Sequence, residues 1–350
     1  MIRLKIRVQI WLKILRVSSN VYEEAAVSNQ QIQKVKVKRL AHVGLWTNDV
    51  LAQTRFYRQT LGLDLRSTSE GITNQDPELE DNDTNMFLAL GEEHHSLALF
   101  SDTRPATANN RRPVSRTPLH HLSFEVDTDA ELAALAARLQ ISGIDLTLEP
   151  RDGNPEMGDT LWFNDPDGNR IEISVTPDDL LSTPASFAQG RRTLLQPYNL
   201  QHVALNTQNL ESMVEFYTEA LGFDISDWLL RECAWLRCNT DHHTIMFLQG
   251  KAGIDHIGYR VADGAEFLRW ADHLSHHRVP LLWGPGRHGA GNDLFLRFAD
   301  TEGIHIELSA GIQQYYDSDV TAPPRLWHTR LMALNLWGAL PSWIQEEVHV

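Results

Sequence analysis

The chain has almost no cysteine. Cys233 and Cys238 are the only two in 350 residues, too few for a disulfide framework or for a metal site built from cysteine ligands. The scarcity of thiols predicts a protein of a reducing compartment, and we expect the cytoplasm.

Basic charge and long apolar runs are also scarce. The chain carries 31 Lys and Arg against 46 Asp and Glu, a formal net charge of -15, which argues against the basic surface that a nucleic-acid partner needs. No apolar run reaches the roughly 18 residues of a membrane span. With 42% hydrophobic residues, the chain is nevertheless long enough to bury the cores of two domains.

The first 38 residues have a different composition. Lys and Arg are interspersed among large apolar residues, and no acidic residue precedes Glu23. This composition is typical of an amphipathic organelle presequence, and it equally fits a poorly ordered extension or a start codon placed too far upstream. We treat residues 1–38 as an N-terminal extension outside the predicted fold.

An internal repeat indicates the architecture. The segments LAHVGLWTNDVLAQTRFYRQTLGLDL, from Leu40, and LQHVALNTQNLESMVEFYTEALGFDI, from Leu200, align without a gap. Each predicts a strand and then a helix that ends at a glycine, Gly62 or Gly222. The second helix has an apolar stripe that consists of Leu210, Met213, Val214, Tyr217 and Leu221.

A second pair of segments repeats at another offset. HHLSFEVDTDAELAALAARL matches DHIGYRVADGAEFLRWADHL, and FNDPDGNRIEIS matches FADTEGIHIELS. The repeats predict an α+β fold of four βαβββ modules, paired into two curved-sheet, open-barrel domains. We expect the first domain at 39–177, a linker at 178–198, the second and catalytic domain at 199–310, and an aromatic tail at 311–350. We expect the tail to pack over the second domain, with a dimer contact as the alternative.

Three strands of the second half carry candidate metal ligands. Side chains alternate between the two faces of a strand, so His202, His256 and Glu307 point away from the apolar residues of their strands. If the strands share one sheet, two imidazoles and one carboxylate converge, which is the ligand set of a 2-His-1-carboxylate Fe(II) centre. The alternative is that each is a hydrogen-bonded structural residue.

The repeated motifs resemble a known family. Helices of the FYxxxLGF type and strand entries of the DPDGNxIEI type are similar to those of the vicinal-oxygen-chelate superfamily, and the two-domain chain resembles its type I extradiol ring-cleaving catechol dioxygenases. AWLRCNTDHHT, GPGRHG and the final WG..PSW are most similar to the homoprotocatechuate and catechol 2,3-dioxygenase branch. The resemblance implies Fe(II), or Mn(II), as cofactor and insertion of O2 into a catechol ring beside its two hydroxyls. It also implies a small aromatic diol as partner and a homo-oligomer.

The resemblance also implies roles for particular residues. The metal ligands fall on His202, His256 and Glu307, the three that the strand pattern indicates. The acid-base histidine falls on His243, with the adjacent His242 as the alternative, and His288 matches a second catalytic position. The expected substrate contacts are Trp235, Asn292 and Arg297.

Two regions depart from the family pattern. Arg297 stands where a tyrosine is usual, and a guanidinium donates hydrogen bonds but cannot act as a neutral phenol. Ala333 and Leu334 stand where the homoprotocatechuate enzymes carry arginines for the substrate carboxylate. The second departure favours a more apolar catechol.

The first half keeps a matching set of ligands. His42, His121 and Glu172 lie opposite the apolar faces of their strands. We expect them to converge and to bind a second metal ion, since an unpaired carboxylate is costly to bury. Catalysis is expected in the second half, because His95 matches the acid-base histidine but Asp152 replaces the second catalytic histidine.

Two other functions fit the same modules. A glyoxalase-like metal-dependent isomerase or lyase normally completes its site with a second glutamate, and the strands around His202 and His256 carry no further acidic residue on the ligand face. A non-catalytic binding protein of the bleomycin-resistance kind would not require His243 or His288.

Overall fold

The computed structural model describes residues 35–68, 71–72, 85–91, 95–102, 118–150, 159–176, 195–316 and 323–345. Most of the N-terminal extension, most of the predicted linker and Asp152 lie outside these residues. None of the helices in the described ranges is both long and apolar enough to cross a membrane. The exact domain boundaries remain a prediction.

Strands dominate both halves of the chain. The first half contains β1 (Arg39–Thr47), β2 (Asp64–Thr68), β3 (Gly71–Ile72), β4 (Met86–Ala89), β5 (Leu97–Ser101), β6 (Leu119–Val126), β7 (Thr147–Pro150), β8 (Asp159–Asn164) and β9 (Arg170–Val175), with helices α1 (Val50–Leu61) and α2 (Asp129–Ile141). The second half contains β10 (Asn199–Thr207), β11 (Asp224–Leu229), β12 (Cys233–Arg237), β13 (Ile245–Gln249), β14 (Gly253–Arg260), β15 (Trp283–Arg287), β16 (Leu294–Ala299), β17 (His305–Ala310) and β18 (Arg325–Trp327). Its helices are α3 (Leu210–Glu215), which continues into a π-helical turn (Phe216–Ala220), α4 (Gly264–His276), α5 (Arg330–Leu334) and α6 (Ser342–Gln345).

Each half forms one sheet of two modules. The strand orders are β3-β2-β4-β5-β1-β6-β9-β8-β7 and β15-β16-β17-β14-β10-β13-β12-β11-β18. Within a module the first strand pairs in parallel with the last, as β1 does with β5 and β14 with β17. The first strands of the two modules, β1 with β6 and β10 with β14, pair antiparallel at the centre of each sheet. The structure confirms the predicted α+β fold of four βαβββ modules.

Capping residues and glycines mark the ends of the first helix in each half. The Asp49 side chain accepts a hydrogen bond from the backbone N of Ala52 at the start of α1, and Gly62 ends the helix in the left-handed region. Gly222 has the same conformation after the π-helical turn, where a side chain would be strained. The predicted apolar stripe of the second helix is buried throughout.

Buried polar contacts join the two halves around a continuous apolar core. In the first half, Asp165 begins the turn before β9 and accepts a hydrogen bond from the hydroxyl of Tyr217 in the second half, at 3.3 Å. Asp300 occupies the repeat-related turn before β17 and accepts from the hydroxyl of Tyr57 in the first half, at 3.1 Å. The helix of each half therefore docks against a turn of the other.

The aromatic tail packs on the second half, as the sequence predicts. Strand β18 extends the second sheet by pairing in parallel with β11. The backbone N–H groups of Gly289 and Ala290 donate to the carbonyl of Ala333 in α5. These contacts bring the tail to the loop that carries His288.

Candidate metal centre

Three adjacent strands build the centre of the second sheet. Strands β10, β14 and β17 lie side by side, and their register places His202 and Glu307 on either side of Gly258. A side chain at Gly258 would clash, because its Cβ would lie 2.1 Å from Cε1 of His202. Ala204 is the residue opposite His256. Small residues on neighbouring strands therefore make room for both imidazoles.

The two imidazoles and the carboxylate meet in a buried cluster. Nε2 of His202 lies 3.1 Å from Nε2 of His256 and 3.5 Å from Oε1 of Glu307, while Nε2 of His256 lies 3.9 Å from Oε2 of Glu307. Each residue is at most 1% exposed. Burial lowers the pKa of His202 to about 3, so its imidazole is neutral near pH 7 and has a lone pair to donate.

Asp255 fixes the tautomer of His256. Its Oδ1 lies 2.5 Å from Nδ1 of His256, so Nδ1–H donates to the carboxylate and Nε2 keeps its lone pair for the cluster. Burial alone would raise the pKa of Asp255, but His256 and Arg297 beside it hold that pKa below its usual range. Sequence reasoning missed Asp255. The available signal was a carboxylate directly before a candidate histidine ligand.

Arg297 lies inside the cluster rather than at its edge. It is the register partner of Glu307, and its Nε donates to Oε2 of Glu307 at 2.7 Å. Nη1 donates to Oδ1 of Asp255 at 3.1 Å, and Nη2 lies 3.3 Å from Nε2 of His256. Burial alone would raise the pKa of Glu307, but Arg297 and the nearby histidines lower it well below its usual range. The residue predicted as a substrate contact is thus paired with two carboxylates of the protein itself.

His243 stands at the end of a buried polar chain. Its ring centroid lies 4.4 Å from that of His202, and its Nδ1 lies 3.1 Å from Nδ1 of His242. Nε2 of His242 lies 3.1 Å from Oδ2 of Asp227, which also accepts hydrogen bonds from an arginine and a tryptophan of β18. Burial lowers the pKa of both histidines. Sequence reasoning missed Asp227, because only the fold brings β11 beside the histidine pair.

His288 approaches the cluster from the opposite side. Its Nε2 lies 3.3 Å from Oε2 of Glu307, and its Nδ1–H donates to the carbonyl of Leu334 in the tail at 2.6 Å. Its ring stacks on Phe295 with centroids 3.8 Å apart. Burial opposes a charge on this imidazole, but Glu307 and Asp293 raise the pKa of His288 above its usual value. Asp293, also missed from the sequence, is fully buried.

The two remaining predicted contacts differ in position. Trp235 is buried on β12 in an apolar cluster that includes Ala204 and Met246, and Ala204 lies opposite the candidate ligand His256. Asn292 is exposed, and its backbone carbonyl accepts a hydrogen bond from Arg287 at 2.7 Å. The fold thus gives Trp235 a place beside the cluster and turns Asn292 toward solvent.

The donor set fits a first-row divalent metal ion. The ligand atoms of His202, His256 and Glu307 lie within 4.8 Å of one another, and neutral imidazoles with a carboxylate suit Fe(II) or Mn(II). The hydrogen bond from His256 to Asp255 is the outer support that histidine ligands usually have. Arg297 opposes binding, because its Nη2 contacts the lone pair of His256 that an ion would use.

Comparison with known proteins relates most of the chain to one family. A profile described as the Glyoxalase/Bleomycin resistance protein/Dioxygenase superfamily matches residues 39–173 and 199–308. The chain is 31% identical over 216 residues to Metapyrocatechase 2 of Cupriavidus necator, a match that covers 56% of this chain and 65% of that protein. It is 22% identical over 303 residues to the manganese-dependent 2,3-dihydroxybiphenyl 1,2-dioxygenase of Geobacillus genomosp. 3, with 81% of this chain and 88% of that protein covered.

A solved structure gives the same assignment for the fold. The Mn(II)-bound glyoxalase from Novosphingobium aromaticivorans is 25% identical and superposes with a TM-score of 0.68, covering 87% of this chain and 91% of that one. The match to the first curated relative spans slightly less than two thirds of that relative's length. The family profile, by contrast, covers most of both halves of this chain. The chain belongs to the Glyoxalase/Bleomycin resistance protein/Dioxygenase superfamily.

Proposed function

We propose that the protein is an extradiol dioxygenase, which inserts O2 into a catechol-type ring beside its two vicinal hydroxyls. The observation that carries the proposal is the convergence of His202, His256 and Glu307, with the ring of His243 packed against His202. Curated relatives that are named as dioxygenases support the same reaction class.

The metal would be held by His202, His256 and Glu307, with Fe(II) as the proposed ion and Mn(II) as the alternative. When bound, such an ion acts as a Lewis acid toward the hydroxyl oxygens of the diol and holds O2 near the ring. Burial of all three side chains excludes bulk water from this reaction.

His243 is the proposed acid-base residue. One set of proton positions fits the groups behind it: Nε2–H of His242 faces Oδ2 of Asp227 at 3.1 Å, Nδ1 of His242 accepts Nδ1–H of His243, and Nε2 of His243 keeps its lone pair. That Nε2 can take a proton from a diol hydroxyl and return it to a leaving oxygen. The Asp227 carboxylate would stabilise the imidazolium that forms.

Arg297 supplies positive charge beside Glu307, and His288 adds an imidazole whose pKa is raised by Glu307 and Asp293. A diol that loses a proton leaves negative charge on oxygen, and fixed cations stabilise such charge strongly where solvent screening is weak. We propose that these two side chains serve this purpose. The guanidinium would then replace the usual tyrosine electrostatically.

The surroundings of His288 favour an apolar catechol. Ala333 and Leu334 are buried and belong to the same apolar cluster as Trp235, Trp283 and Phe295. A carboxylate on the substrate would lose its hydration beside Ala333 and Leu334, whose side chains offer it no hydrogen bond. We therefore propose a catechol with an apolar ring substituent.

A glyoxalase-like isomerase or lyase is the second candidate, and Asp293 favours it. This buried carboxylate groups with His288 and Glu307, with ligand atoms within 4.8 Å of one another. It is an additional acidic group that comes from outside the three ligand-bearing strands. Such an enzyme would use no O2.

We also propose that the protein is cytoplasmic and forms a homo-oligomer. Both cysteines are free and buried, which supports a cytoplasmic location. Large apolar side chains of the tail are exposed, among them Leu331, Met332 and Trp337. Contiguous exposed apolar groups often form interfaces, and this supports a homo-oligomer.

The test begins with anaerobic purification and loading with Fe(II) or Mn(II). O2 uptake is then measured with catechol, an alkyl- or aryl-substituted catechol and a carboxyl-bearing catechol, and the Glu307→Ala variant is the control. We expect uptake equimolar with diol consumed, fastest for the apolar catechols and lost in the control. Isomerisation of a hemithioacetal without O2 uptake would instead establish the glyoxalase-like function. Binding of diols without turnover of any substrate would indicate a binding protein.

A further inference from the structure

The first half contains its own convergent set of metal-ligating side chains. Nε2 of His42 lies 2.7 Å from Nε2 of His121 and 3.3 Å from Oε2 of Glu172, and Nε2 of His121 lies 3.9 Å from the same oxygen. Each residue is at most 3% exposed. The three ligand atoms satisfy the same 4.8 Å limit as the set in the second half.

The backbone makes room for this set in the same way. Ser123 lies opposite both His42 and Glu172 in register, the place that Gly258 takes in the second half. Gly44 lies opposite His121, and a Cβ there would lie 2.3 Å from Nδ1 of His121. Both halves therefore have two small residues that make room for the imidazoles. In the first half glycine lies opposite the second histidine, and in the second half it lies opposite the first.

The charge around the first set differs from that around the second. Trp162 is the register partner of Glu172, whereas the corresponding partner of Glu307 is an arginine. The Trp162 ring lies edge-on to His121 at 5.1 Å between centroids. Arg170 stacks on the indole at 3.8 Å and pairs with Glu149. An uncharged ring thus occupies the position from which a guanidinium contacts the second set.

Aromatic and imidazole rings also enclose the first set. The His95 centroid lies 4.1 Å from that of His42, and Phe100 packs at 5.8 Å from His121. The ligand atoms therefore lie in a closed surrounding that is built largely of rings.

We propose that the first half binds a second first-row divalent metal ion through His42, His121 and Glu172. The ion neutralises the buried carboxylate and ties the two modules of the first sheet together, because β1, β6 and β9 each contribute one ligand. This site is distinct from the centre of the proposed reaction. Its role is to stabilise the fold.

The experiment counts metal ions per chain. Full-length protein is loaded anaerobically with Mn(II), freed of excess ion by gel filtration and analysed by mass spectrometry for metal and by absorbance for protein. The variants are Glu172→Ala, Glu307→Ala and the double variant, with Glu131→Ala as a matched control that removes a carboxylate of α2, which pairs with Lys38. We expect about two ions in the wild type and the control, about one in each single variant and none in the double variant.

A second measurement separates a lost ligand from a lost fold. In the Glu307→Ala background, added Mn(II) should raise the melting temperature, and the further change Glu172→Gln, which keeps the side-chain shape, should abolish that rise. A Glu307→Ala protein that holds no Mn(II), or a Glu172→Ala protein that holds as much as the wild type, overturns the proposal. Metal counts are independent of ring cleavage, so failure of the proposed dioxygenase activity is scored separately in the O2-uptake assay.

Discussion

Replacing Arg297 by methionine should make metal binding in the second half tighter. Nε of Arg297 donates to Glu307 at 2.7 Å, and Nη2 contacts Nε2 of His256. A metal ion would bind through the same Glu307 carboxylate and the same His256 nitrogen, so the ion and the guanidinium compete for them. Methionine keeps much of the length of arginine but removes the charge and the donors.

The magnitude follows from the burial of the pair. Both side chains are nearly inaccessible, at 6% and 1% exposure, and removing one partner of a buried ion pair costs about 3–5 kcal/mol because the other charge is left uncompensated. His288 remains near Glu307, so we expect the lower end, about 3 kcal/mol, in metal-free protein. A bound ion supplies the missing positive charge and recovers most of that loss. At about 1.4 kcal/mol per factor of ten, metal binding should tighten roughly 100-fold.

The assay measures stability and affinity together. Chelator competition gives the dissociation constant for Mn(II), and calorimetry gives the melting temperatures of metal-free and loaded protein. The Glu172→Gln background isolates the second-half site. Arg260→Met is the matched control, because Arg260 lies on β14 but pairs with Asp241 rather than with the cluster. We expect the metal-free Arg297→Met protein to melt several degrees lower and to gain more than the wild type from Mn(II).

The reasoning would be refuted by a variant that binds Mn(II) with wild-type affinity while its metal-free stability is unchanged. Such a result would mean that the guanidinium does not compete for the ligand atoms. Weaker binding together with normal stability would indicate that Arg297 holds Glu307 in the geometry that the ion requires.

Three further predictions follow from the same contacts. His243→Ala should retain its metal but turn over roughly 100-fold more slowly, the usual scale of general acid-base catalysis. Loss of metal would identify His243 as a metal ligand, and an unchanged rate would indicate that His242 is the acid-base residue. Asp227→Asn should keep the metal and shift the acidic limb of the kcat/KM profile to lower pH, because the carboxylate that raises the pKa of His242 would be gone. An unchanged profile would show that Asp227 does not act on His243 through His242. Asp165→Asn should change how stability depends on pH. Burial raises the pKa of Asp165 from 3.8 to about 6, so the folded state binds this proton more tightly. Stability should then fall by about 3 kcal/mol as pH rises from about 4 to about 6, and urea unfolding of the asparagine variant should lack that part of the fall.

The sequence by itself determined the modules and the faces of the strands. Segment repeats at fixed offsets predicted four βαβββ units, because each unit is built from local patterns of apolar residues and helix-ending glycines. Alternation along three strands placed His202, His256 and Glu307 on one side, and the same pattern selected the first-half set. These features depend on residues close together in the chain, so a linear pattern is enough to reveal them.

Tertiary structure alone decided which partners those side chains have. The chain order does not predict that Asp227 of β11 lies beside His242, or that the carbonyl of Leu334 in the tail accepts a hydrogen bond from His288. Similarity to the family implied substrate contacts for Arg297 and Asn292, but in the structure Arg297 pairs with Glu307 and Asn292 is exposed. The physical reason is that buried charges and ring nitrogens select partners by distance and burial, and both are set only when sheets, turns and tail pack together.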